Sequence, residues 1–242
     1  IVCSSSGGKV CSLFYHLHVE INQDQNPNFS PIDLFLRLNS KPFPVEPNTF
    51  EMWNAYVTKE YVETIKNLAS KYANGLFRPL DTRMKNEELI TMLAYLAYQE
   101  RKNAVKSGDY LNIFVRNQRI NARFKTKSYI TNTLGEISRN NDTVFGDALD
   151  DVKKFIEKLQ ILTGQDFEKL NEMIAHPKRN RQSRTNQNFY LLWIAIAPIS
   201  TYRAKKDKTA IFEKIRKMFA LSQDIRDDNF SVEDFVSKIS SI

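Results

Sequence analysis

Along most of the chain the apolar residues return every three or four positions, the spacing that gathers them on one side of an α-helix. Residues 145–163 show this most clearly: Phe145, Leu149, Val152, Ile156 and Leu159 form one stripe, and Gly164 ends it. Thr58 stands ahead of a second stripe, Tyr61, Ile65, Leu68 and Tyr72, closed by Asn74-Gly75. Residues 86–107 predict a long helix with Leu89, Leu93, Leu96 and Ala97 inward and Gly108 at its end. Shorter helices are predicted over residues 109–118, 126–137 and 166–175. Residues 188–202 are apolar nearly all round, which predicts a buried central helix bent at Pro198. Over residues 208–221, Ile211, Ile215 and Met218 fall inward while Lys214 and Lys217 fall outward. Ser231 with Asp234 has the form of a capping box for a last short helix.

The first part of the chain reads differently. Residues 9–20 predict a strand, since Val10, Leu13, Phe14, Leu17 and Val19 mix alternation with a short apolar run. One strand cannot stand alone in water, so sheet partners are expected elsewhere. Ser30 then suits a helix N-cap, Pro31 the first helical position and Asp33 the first turn. That helix carries Ile32, Leu34, Phe35 and Leu38 and stops near Ser40. Three prolines predict a shaped loop over residues 41–48, and residues 49–56 predict a short helix with Phe50 and Trp53 on one face. The fold class is therefore mainly α: a multi-helix, bundle-like domain over residues 49–242, preceded by a short α+β part over residues 1–48. The chain starts on Ile1, and residues 1–8 look like a small, polar lead-in, so upstream sequence is expected.

Composition narrows the picture. With 42% hydrophobic residues the chain can build a sizeable core, and with 16 Phe and 10 Tyr that core should be rich in aromatics. Only 7 Gly and 8 Pro argue against a turn-rich β-sandwich. The net charge of +7 and pI near 9.3 permit a polyanionic partner without requiring one. Cys3 and Cys11 make no C-x-x-C pair, and free thiols in a reducing, cytoplasmic setting are expected. The most apolar run, residues 190–199, is too short to span a bilayer, so no membrane partner is expected.

No complete active site is readable. Ser6-Gly7-Gly8-Lys9 lacks both the first glycine of a phosphate loop, where Cys3 stands, and the hydroxyl after the lysine, where Val10 stands. His16 and His18 share a strand face but bring no matching carboxylates or cysteines, so no metal site is assigned. Asp150-Asp151 reads as a solvated helix turn. No catalytic residue and no cofactor is assigned to the chain.

Residues 30–54 are more specific: S-P-I-D-L-F-L-R-L-N-S, a Pro-rich loop, then N-T-F-E-M-W-N. This resembles the N-terminal family of GmrSD-type restriction endonucleases, related to ParB and sulfiredoxin-like folds. The matching positions are Phe35, Arg37, Leu38, Asn39, Ser40, Glu51 and Asn54. Lys41-Pro42 replaces the glycines that usually follow, which stiffens the loop. The family's P-x-x-Q-R and D-G-Q-Q-R segments, associated with nucleotide hydrolysis, do not occur here; Gln118-Arg119 follows Arg116-Asn117 instead. The resemblance implies the end of a ParB-like α+β subdomain followed by the helical domain. It further implies a fragment of a restriction or anti-phage defence protein that supplies scaffold and a DNA-facing surface. Nucleoside triphosphate, a divalent metal and a nuclease domain or subunit would belong to the full-length parent, and the chain alone is expected to be inactive. Arg37 and Asn39 are then candidates to face a nucleotide or phosphate, with Arg37 tying helix to loop as the plainer reading.

Two basic clusters are candidate DNA contacts. Arg116, Arg119, Arg123, Lys125 and Lys127 lie in one stretch, and on a helix the three arginines would share a face. Lys178, Arg179, Arg181 and Arg184 lie in a Ser/Asn/Gln-rich loop. The alternative is a non-catalytic protein-interaction domain that binds no nucleic acid and carries these charges as solvated surface.

Overall fold

The structure, a computed structural model, describes residues 57–77, 84–104, 106–116, 119–125, 128–175 and 184–222, together with Phe235 and Ser237. The strand expected over residues 9–20, the helices over 30–40 and 49–56, the capping box at Ser231, both cysteines and all three histidines lie outside these residues.

The described residues form a mainly helical fold with one short antiparallel sheet ahead of six of its eight helices. In chain order they are α1 (Lys59–Lys71), α2 (Lys85–Asn103), β1 (Leu111–Arg116), β2 (Arg119–Phe124), α3 (Ser128–Asn140), α4 (Val144–Thr163), α5 (Leu170–Ile174), α6 (Asn186–Ile196), α7 (Thr201–Lys206) and α8 (Lys208–Ser222). Short 3₁₀ turns follow α1 and precede β1.

Helix α4 matches its stripe: Phe145, Leu149, Val152, Ile156 and Leu159 are all buried. It ends where the chain reaches Gly164 at φ 113°, a conformation that favours glycine, and the Gly164 N–H donates to the Gln160 carbonyl. Helix α2 departs from its expected single stripe. Ile90, Met92, Tyr95 and Tyr98 are buried along with the leucines, because α1, α4, α6 and the 3₁₀ turn before β1 pack against it. It also stops before Gly108, at Ala104, which takes the left-handed φ of 51° itself.

Helix α6 is buried on every side from Phe189 to Ile196, as its composition predicts. It does not bend at Pro198 but ends before it. Pro198 has no N–H to continue the ladder, and Ser200 starts a separate helix by accepting a hydrogen bond from the Arg203 N–H. Around α6 the core is aromatic: Phe155 meets Trp193 edge-on at 5.1 Å, Phe77 meets Phe189 at 5.6 Å, and Phe124 meets Tyr190 at 5.1 Å.

The helix expected over residues 109–118 is instead the first strand of a hairpin. R-I-N-A-R-F alternates polar and apolar positions, L-N-I-F-V-R does so except at Phe114, and the β-branched Ile113, Val115 and Ile120 favour the extended form. Leu111, Ile113, Ile120 and Ala122 are buried on the inner face, where a helix would have spread them around its surface.

Candidate nucleic-acid interface

The hairpin register sets the candidate surface. Asn112 pairs with Arg123, Phe114 with Asn121, and Arg116 with Arg119. In an antiparallel ladder directly opposed residues share a face, and so do positions two apart. Positions 112, 114, 116, 119, 121 and 123 therefore make one outer face that holds all three arginines. Their spacing of three and four would also fit one face of a helix, but the register puts them on a sheet. Arg116, Arg123 and Asn112 are exposed, and neither strand contains an Asp or Glu. The Arg123 guanidinium lies over the Phe114 ring at 5.6 Å, which stiffens it while leaving its edge to solvent.

The opposite face anchors the ribbon. Phe124 packs edge-on against Tyr95 of α2 at 5.8 Å and Tyr190 of α6. Burial raises the hydroxyl pKa of both tyrosines, so they remain neutral packing partners at any ordinary pH. Beyond β2 the Lys125 N–H donates to the Tyr110 carbonyl at 3.1 Å, extending the pairing by one step and fixing Lys125 at the hairpin base with its side chain exposed.

The other sequence candidates separate. Lys127, Lys178, Arg179, Arg181, Arg37 and Asn39 lie outside the described residues. Arg184 is half-buried and turned into the protein. Its Nε donates to Asn171 Oδ1 at 3.0 Å, and its Nη1 donates to the carbonyls of Asn74 and Leu76. Burial lowers its pKa from the usual arginine value. Its chemistry is that of a brace between the turn after α1 and helix α5. Asp151, read as solvated, takes a bidentate pair from Arg101 at 2.6 and 2.9 Å and ties α4 to α2.

A second basic surface lies outside both clusters that the sequence suggests. Tyr202, 73% exposed, Arg203, Lys205, Lys206 and Lys208 crowd the α7–α8 junction. The run R-A-K-K-D-K was its available signal; Asp207, 3.9 Å from Arg203, partly offsets it.

Among the described residues no group of three or more His, Cys, Asp or Glu could hold a metal ion, and no helix is long and apolar enough to cross a membrane. Comparison with protein-family models, with curated proteins and with solved structures finds no match to the chain.

Proposed function

We propose that the helical part of this chain is a non-catalytic nucleic-acid-contacting module whose outer hairpin face grips the phosphate backbone without reading sequence. The observation that carries this reading is the register that places Arg116, Arg119 and Arg123 on one acid-free face of a ribbon anchored from behind. A two-stranded ribbon fits the major groove of B-DNA. Arginine forks suit phosphate oxygens, and the exposed Asn112 adds an amide able to donate to the backbone. The signature at residues 30–54 supports reading the chain as part of a GmrSD-like restriction or anti-phage defence protein of the cytoplasm. In that reading nucleotide hydrolysis and DNA cleavage belong to other parts of the parent.

The test is retention of a duplex by the 242-residue chain at low salt. Reversing Arg116, Arg119 and Arg123 together to Glu should weaken it at least about tenfold, since each lost phosphate contact forfeits its counterion release. Reversing Lys205, Lys206 and Lys208 should weaken it less. Absence of retention by the unaltered chain would favour a protein-interaction domain, for which the exposed Tyr129, Tyr202 and Leu221 are apolar contacts at hand.

A further inference from the structure

A cavity of about 650 Å³ opens beside the hairpin base, between the 3₁₀ turn Ser107–Tyr110, strand β1 and the end of α6. This volume lies within the range of small-ligand pockets. Its accessible apolar surface comes from Ala197 and Pro198 at the end of α6, while Trp193, Ile194, Leu111 and Ile113 line it from behind and are themselves buried. The mouth is polar, with Lys106, Lys125, Asp109 and Asn112, all exposed.

The mouth is held in place. Ser107 N–H donates to Glu100 Oε1 at 2.9 Å, and Asp109 N–H donates to the Lys106 carbonyl at 2.9 Å. Ser107 Oγ accepts from Trp193 Nε1 at 2.9 Å, which fixes the indole in the wall and engages its N–H. The backbone of Lys125 is pinned opposite Tyr110. Asn112 belongs both to this mouth and to the outer hairpin face, where it stands opposite Arg123. The cavity is thus continuous with the surface argued to hold a phosphate backbone.

From this continuity we infer that the cavity receives one nucleotide everted from the bound strand, and the inference rests on the backbone-binding reading above. The base would lie against Ala197 and Pro198, with Asp109 able to accept from an exocyclic amine. Lys106 and Lys125 would hold the flanking phosphates. A free mononucleotide offers the same chemistry, so both sources enter the test.

Eversion costs least where pairing is already broken. The full chain should therefore bind a duplex with a single unpaired nucleotide at least about tenfold tighter than the same duplex fully paired. Ala197→Phe, which adds a ring at the cavity wall, should remove that preference and leave affinity for the paired duplex within about twofold. If Ala197→Phe fails to fold, Lys106→Ala should still reduce the ratio of the two affinities. Excess nucleoside monophosphate should displace the unpaired-nucleotide duplex down to the affinity of the paired one; displacement of both duplexes alike would place the nucleotide on the hairpin and overturn the inference. Equal affinity for the two duplexes, or a preference that survives Ala197→Phe, overturns the inference and leaves the backbone reading standing. Loss of all duplex binding overturns both.

Discussion

Lys158 of α4 places its ammonium at the broken end of α6, where Nζ donates to the Ala197 carbonyl at 2.6 Å and to the Ile199 carbonyl at 2.9 Å. These carbonyls flank Pro198, which supplies no N–H to a neighbour. A cation there also meets the negative end of the helix dipole. Lys158 is 6% exposed, and burial pushes its pKa down to about 8, against a smaller upward pull from Asp151.

The lysine therefore has a signed pH effect. Between about pH 8 and the pKa of about 10.4 of a solvated lysine, the unfolded chain holds a proton that the folded chain has released. Stability contributed at this residue rises with pH across that window. Lys158→Met removes both carbonyl bonds and should destabilise the fold by about 2 kcal/mol at pH 7. The gap in melting temperature between wild type and variant should widen from pH 8 to pH 10, read by thermal melts in matched buffers. A constant gap would mean the lysine does not titrate in the fold.

Asp142 gives the opposite slope. Its carboxylate accepts from Lys102 Nζ and Tyr98 Oη, each at 2.9 Å, and from the Val144 N–H at 3.0 Å, joining α2 to the start of α4. The hydrogen bond from Lys102 leads the effects that hold its pKa below the usual carboxylate value. The stability it contributes is full above the unfolded value near 4 and is lost as pH falls through the lower folded value. Asp142→Ala should cost about 1–3 kcal/mol at pH 7, and urea titrations should show that cost shrinking by pH 2.5. The Tyr98 hydroxyl, raised to about 12 by burial and by this carboxylate, stays protonated throughout.

Arg184 separates bracing from binding. Arg184→Ala removes donors to Asn171, Asn74 and Leu76 and should lower stability by about 1–3 kcal/mol. Duplex affinity, measured well below the variant's melting temperature, should be unchanged. A tenfold loss of affinity with an unaltered melting temperature would return Arg184 to the contact surface.

The long apolar periods over α1, α4 and α8 were legible because one buried face dictates the spacing. Residues 111–124 were not, because L-N-I-F-V-R is too short for period two and period 3.6 to be told apart without knowing what lies behind it. The grouping of the three arginines survived the wrong assignment, since spacings of three and four fit a helix face and the turn between the strands restores a common face. Arg184 misled for the same local reason: its partners at 74, 76 and 171 are distant in sequence, and a basic residue in a polar loop gives no sign of them. The break at Pro198 was visible as a proline, but the separate start at Ser200 depended on a hydroxyl reaching the Arg203 N–H.

The salt dependence of duplex binding tests the central claim most directly. If the outer hairpin face holds phosphates through Arg116, Arg119 and Arg123, the logarithm of the binding constant should fall against log salt with a slope of about −2.7 or steeper. Each arginine replaced by Ala should reduce that slope by about 0.9. A slope near zero, or one left unchanged when all three arginines are replaced, would contradict the account.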